Sequence, residues 1–234
     1  MTGSTQTSPT VVLVHGAWAD ASSWQRVIPI LLAKGIPVVA VQNPTTSLAA
    51  DVAVARQAID LVDGPVVLAG HSWGGTVITE AGNAPNVKAI VYVAAFAPDA
   101  GQSTGDQVQA HEAPPGLSTV VPYGDGFLKM STEGWINNVA QDLPDDEARL
   151  LATVQPPLSL TTFGDKISEA AWKTRPSWYI VSLNDRAVNV ELQRELAARM
   201  GAKTTELKSS HVSLLSQPAA VAAVIMDAVA AIAT

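Results

Sequence analysis

Val66-Val67-Leu68-Ala69-Gly70-His71-Ser72-Trp73-Gly74-Gly75-Thr76-Val77-Ile78 is the stretch from which the chain is best read. An apolar, β-branched run enters Gly-His-Ser-Trp-Gly and leaves into a segment compatible with a helix, so it reads as strand, sharp turn and helix. A turn that tight strains the backbone of its serine, and Gly70 and Gly74 leave it room on either side. Gly75 lets the new helix pack closely on the sheet. The hydroxyl of Ser72 is thereby lifted off the strand end, while the helix N-terminus aims amide donors at the same place. A phosphate-binding loop is the competing reading of these glycines. Gly70 and Gly75 have its G-x-x-x-x-G spacing, but Thr76 stands where its lysine is required, and the turn contains no G-x-G-x-x-G. The stretch nominates Ser72 as a nucleophile.

On either side the chain alternates strand and helix. Thr10–His15 is a continuous apolar run, as in a strand buried on both faces, and it ends at the His15-Gly16-Ala17-Trp18 turn. Ser22 or Ser23 can cap a helix through about Lys34, with Gly35 as its stop. Pro37–Val41 reads as a second strand. Ser47–Asp63 has the helical spacing Leu48, Val52, Ala55, Ile59, Val62, and Gly64-Pro65 ends it. After the Ser72 turn and its helix, Lys88–Phe96 reads as a fourth strand, Ser177–Ser182 as a fifth and Lys203–Leu207 as a sixth. Helices are expected at about Val190–Met200 and from Pro218 onward. The pattern predicts an α/β fold: one doubly wound, mostly parallel six-stranded sheet with helices on both faces. Residues 99 to about 175 break the rhythm. They are richer in Gly, Pro and polar residues, with only short helical pieces such as Thr132–Val139 and Pro144–Val154, and are expected to form a small cap over the sheet edge. The whole chain, 1–234, then reads as one domain.

Composition removes several classes of function. Fourteen Lys and Arg against 21 Asp and Glu give a formal charge of −7, with no basic cluster, which argues against nucleic acid and anionic membranes as partners. There are no cysteines, so thiol nucleophiles, disulfides and thiolate metal sites are excluded. Neither a metal nor a cofactor is expected, since no H-E-x-x-H occurs and the histidines are far apart. Met1–Pro9 lacks a basic region and an apolar core, and the apolar run Ala219–Ala233 is too short to span a bilayer. A cytoplasmic protein is expected.

A serine hydroxyl needs a base to remove its proton during attack, and that base is a neutral histidine held in one tautomer by a carboxylate. In a doubly wound sheet such groups gather at the carboxyl ends of the strands, with the acid and then the histidine following the serine in sequence. Of four histidines, His15 and His71 sit within the glycine turns and His111 in the insertion, leaving His211 after the sixth strand as the base. Asp185, directly after the fifth strand, is the favoured acid; Asp99, after the fourth, is its competitor. The backbone amides of Trp73 and Ala17 are candidate oxyanion donors, and His15 reads as a structural hydrogen-bonder. Trp18, Phe127 and Trp135, together with Trp73, are candidates to shape an apolar pocket.

Val-His-Gly-Ala at 14–17, Gly-His-Ser-Trp-Gly-Gly at 70–75, Asn-Asp-Arg at 184–186 and Ser-His-Val at 210–212 look like the α/β-hydrolase fold superfamily over essentially the whole chain. The lack of strands ahead of Val11 and the short stretch Gly16–Trp24 make it similar to the compact esterase and hydroxynitrile-lyase group. The plant lyases of that group carry a threonine in the first glycine turn and a lysine beside the histidine, where this chain has Gly16 and Val212. The resemblance therefore implies hydrolysis of small carboxylic esters through an acyl-enzyme. A lactonase using the same triad, or a non-catalytic ligand-binding or signalling protein on the same fold, are the alternatives.

Overall fold

The computed structural model describes residues 8–233, so the reading of the N-terminus lies largely outside the described residues. The chain runs β1 (Thr10–Val14), α1 (Ile28–Ala33), β2 (Val38–Val41), α2 (Leu48–Asp60), β3 (Val66–His71), α3 (Gly74–Ala81) and β4 (Val87–Val93). It then leaves the sheet through α4 (Thr104–Gln109), β5 (Val120–Pro122), β6 (Phe127–Met130), α5 (Thr132–Gly134), α6 (Asp145–Val154) and β7 (Leu158–Ser159). It returns as β8 (Ser177–Ser182), α7 (Val190–Arg199), β9 (Lys203–Leu207), α8 (Ser213–Ser216) and α9 (Pro218–Ile232).

The main sheet has the order β2-β1-β3-β4-β8-β9, and every neighbouring pair is parallel. Side chains on a strand point alternately to its two faces, and the two cores divide accordingly. Val11, Leu13, Val67, Ala69 and Val91 face Leu31 of α1 and Val221 and Ile225 of α9. Val12, Val14, Leu68, Ile90 and Tyr92 face Ala55 and Ile59 of α2, Val77 and Ile78 of α3, and Leu192 and Leu196 of α7. Each such aliphatic side chain contributes about 1.5–3 kcal/mol on burial, so the double layer supplies the main driving force. Asp227, the one charge in the apolar C-terminal helix, accepts from Trp178 Nε1 of β8 at 2.6 Å and pairs with Lys203 of β9 at 2.7 Å. It fixes the helix to the sheet at its edge.

β1 and β3 are neighbours, but the crossover from β1 leads outward to β2 and the next one leads back to β3. Their carboxyl ends therefore meet at the point where the winding reverses, the place where open α/β sheets form their clefts. The Gly16-Ala17 turn and Ser72 both lie there.

Two sequence expectations need correction. The helix expected over 22–34 is split: a 3₁₀ turn at Ala21–Trp24, capped by Asp20, precedes α1. Pro29 causes the break, because proline lacks the N–H and crowds the preceding turn, so it is tolerated only in the first turn of α1. The second correction concerns the insertion, which is more than helical pieces. It carries a three-stranded antiparallel sheet, β5-β6-β7, with Gly124 and Gly126 at positive φ in the β5–β6 turn. Among the described residues no helix is long and apolar enough to cross a membrane.

Candidate active site

Ser72 has φ +53, in the left-handed region that a residue with a Cβ adopts at a cost of about 1–3 kcal/mol. The surrounding backbone holds it there. Its N–H donates to Val93 O at 3.1 Å, and its carbonyl accepts from Gly75 N at 2.9 Å and Phe96 N at 3.2 Å. The first glycine turn is pressed directly against it: a Cβ on Gly16 would lie 2.9 Å from Ser72 Cβ and 3.1 Å from His71 Nδ1, so no side chain fits at position 16. Trp73 is the N-cap of α3, which puts its amide at that helix N-terminus immediately after Ser72.

His211 Nδ1 donates to Asp185 Oδ2 at 2.7 Å, both side chains being buried. A carboxylate can only accept, so this bond fixes the proton on Nδ1 and leaves Nε2 as the acceptor. Asp185 is itself held on both oxygens. Oδ1 accepts from the amides of Ala187 (2.8 Å) and Val188 (2.9 Å), and Oδ2 also accepts from Gln193 Nε2 at 2.8 Å. Gln193 is oriented in turn by the Ser182 amide on its Oε1. The His211 carbonyl accepts from His71 Nε2 at 2.9 Å, and burial lowers the His71 pKa well below its ordinary value, keeping that imidazole neutral. Asp99, the competing acid, instead pairs with Lys173. His15 accepts from the Asn43 amide on Nε2 and donates from Nδ1 to Gly16 O, both at 2.8 Å. His111 meets Glu195.

Ser72 and His211 line one cavity. Its walls are mainly apolar, with Trp18, Met130, Trp135, Val139, Leu151 and Phe163 prominent, and Ala17 also borders it. Among the described residues no lysine or arginine lines it, and one carboxylate, that of Asp20, does. Of the expected pocket residues, Trp18 and Trp135 are in the wall, and the Trp18 indole donates to Leu128 O at 3.1 Å, tying the first turn to the cap. Phe127 is not in the wall. On β6 it alternates with Leu128 and Met130, so the face that brings Met130 to the cavity turns Phe127 away. The Trp73 side chain is not there either. It points behind the turn, where its Nε1 donates to Asp51 Oδ2 at 2.7 Å.

Asp51, on α2, is fully buried and its Oδ1 accepts from the Thr45 amide at 2.8 Å. Burial pushes its pKa from 3.8 up to about 6, against the two hydrogen bonds, which lower it. A carboxyl whose folded pKa lies above its unfolded value stabilises the fold when protonated, and that contribution is lost as pH rises through about 6. The shift corresponds to about 3 kcal/mol in total, of which about 1.4 kcal/mol is realised on going from pH 7.5 to pH 5. Urea titrations at the two pH values should show wild type gaining that increment relative to Asp51→Asn. Equal pH dependence of the two proteins would contradict it.

Residues 11–224 match the model of the alpha/beta hydrolase family, nearly the full chain. The chain belongs to the alpha/beta hydrolase family. Within it, the chain is 26% identical over 203 residues to the probable hydrolase R7 of Phoma sp., covering 80% of this chain and 82% of that one. It is 27% identical over 208 residues to Methylesterase 8 of Arabidopsis thaliana, covering 78% and 75%. Among solved structures, polyneuridine aldehyde esterase superposes with a TM-score of 0.81 at 23% identity, covering 94% of this chain and 99% of that one. This alpha/beta hydrolase thus shares its fold with an esterase.

Proposed function

We propose that the protein hydrolyses small, uncharged carboxylic esters through an acyl-enzyme formed on Ser72. One observation carries the reading: a serine held at φ +53 opens on the same cavity as a histidine whose Nδ1 is committed to a buried carboxylate. His211 Nε2 takes the Ser72 proton as Oγ adds to the ester carbonyl, and Asp185 stabilises the imidazolium that forms. The amides of Ala17 and Trp73 receive the negative charge on the carbonyl oxygen. Collapse of the adduct expels the alcohol, protonated by His211, and water then attacks the acyl-serine by the reverse proton route. A mainly apolar wall, with the Asp20 carboxylate and, among the described residues, no lysine or arginine to pair an anionic group, suits neutral acyl and alcohol groups. The absence of space for any side chain at Gly16 supports hydrolysis over chemistry that needs a hydroxyl there.

The test is hydrolysis of p-nitrophenyl esters from acetate to decanoate by wild type and Ser72→Ala. Activity that falls by about 10³-fold or more in the variant is expected. Activity surviving in Ser72→Ala would remove the nucleophile assignment, and an inactive wild type would remove the ester reading.

A further inference from the structure

We infer that Asp51 is a positioning residue, its carboxylate tying Trp73, the proposed oxyanion donor beside Ser72, to the cap segment that walls the cavity. The inference rests on the ester-hydrolase reading given above.

The tie is continuous. Trp73 Nε1 donates to Asp51 Oδ2 and Thr45 N donates to Asp51 Oδ1, at 2.7 and 2.8 Å. Thr45 is held at φ +54, a conformation that needs support from its surroundings. Its hydroxyl contacts Pro157 O at 2.8 Å, and its carbonyl accepts from Ser159 N at 3.0 Å. Pro157 directly follows Gln155 and Pro156, which line the cavity. A second link joins the same helix end to the cap, where Leu48 N donates to Asp165 Oδ2 at 2.9 Å. One buried carboxylate therefore joins the turn after Ser72 to the wall against which a substrate rests.

Burial of that carboxylate is costly, since both of its donors are neutral and a charge taken out of water is poorly compensated by two hydrogen bonds. The raised pKa of Asp51 expresses that cost. A site that needed only filled volume would be served by an apolar residue. A short acceptor facing two fixed donors instead sets the position of the Trp73 ring, and through it the amide at the start of α3. Displacements well under an ångström there change how well the amide meets an oxyanion, and little else about ground-state binding.

The experiment compares wild type, Asp51→Asn, Trp73→Phe and the double variant. Asparagine offers one acceptor where two donors point, and phenylalanine removes the indole N–H while keeping the backbone amide and an aromatic ring. Two readouts are taken on protein shown to be folded by thermal melting: kcat and KM for p-nitrophenyl acetate, and the rate at which a fluorophosphonate probe labels Ser72. Each single variant should lose about tenfold or more in kcat and in labelling rate, with KM within about twofold of wild type. The double variant should be no worse than the poorer single one. Wild-type kcat in either folded variant would overturn the inference, as would KM rising in proportion to the fall in kcat, which marks general disordering of the pocket. Trp73→Phe alone decides the matter if Asp51→Asn does not fold. Ser72→Ala separates the two readings: wild-type labelling that survives in it strikes the nucleophile assignment, whereas labelling lost in Ser72→Ala but unchanged in Asp51→Asn strikes only the role of Asp51.

Discussion

Asp185→Asn should lower kcat for a p-nitrophenyl ester by about 10⁴-fold while leaving the protein folded. The hydrogen bonds around the carboxylate dictate this. Asp185 Oδ1 faces two backbone amides, so a carboxamide oxygen must occupy that place and its NH₂ is forced into the place of Oδ2. There the NH₂ confronts His211 Nδ1 and Gln193 Nε2. Gln193 cannot simply turn its amide round, because its Oε1 holds the Ser182 amide at 3.0 Å. His211 therefore has to accept on Nδ1 and carry its proton on Nε2, the nitrogen that takes the proton from Ser72 in the proposed mechanism. The ring stays in place in the wrong tautomer, so KM should change little and kcat should collapse. A loss of less than about tenfold would mean that Asp185 does not set the tautomer of the working base.

The parallel sheet was legible because each central strand is apolar on both faces, and the runs 10–14, 66–71 and 177–182 leave no room for another reading. Ser72 was nominated by its motif and Asp185 and His211 by chain order; the structure joins Asp185 to His211 by a hydrogen bond and sets Ser72 and His211 on one cavity. What periodicity could not see were the side chains that meet only after folding. Gln193 sits on a helix where polar residues are ordinary, yet it is buried and braces Asp185. Asp51 occupies the first turn of α2, where an acidic residue is favoured by the helix dipole in any case. Nothing local distinguishes it from a solvated carboxylate, and its burial follows from the packing of α2 against α3.

The cap was the least legible part, for a different reason. Its strands are two to four residues long, too short for alternation to show. The signal that existed lies in Tyr123-Gly124-Asp125-Gly126, a glycine-bearing turn between two β-prone pairs, which is a hairpin pattern. Recognising β6 would also have corrected Phe127, since strand alternation separates it from Met130. The Trp73 side chain was misjudged because adjacency to Ser72, the proposed nucleophile, suggests exposure to substrate. With αR backbone at the N-cap of α3, Trp73 instead sends its side chain behind the turn.

Gly75→Ala tests the claim that the helix after Ser72 must pack closely on the sheet, and two effects of opposite sign compete there. Alanine is the better helix former by about 1 kcal/mol, so intrinsic propensity alone predicts stabilisation within α3. Packing predicts the reverse: a Cβ at position 75 would lie 2.7 Å from Ala95 Cβ, 3.1 Å from Phe96 N and closer still to the Phe96 carbonyl oxygen. These are backbone and methyl groups that cannot swing aside, and Phe96 N is the group that bonds the Ser72 carbonyl. Relief requires α3 to move off the strand ends, at a cost of about 3 kcal/mol or more. Packing wins by about 2 kcal/mol or more, so the melting temperature should fall by about 6 °C or more for a chain of this size. Gly164→Ala is the matched control, because nothing lies within 4 Å of its Cβ position, and it should melt within about 1–2 °C of wild type. A Gly75→Ala protein as stable as the control would show that α3 has slack against the sheet, and that the conformation of Ser72 is imposed by its own turn rather than by the packing behind it.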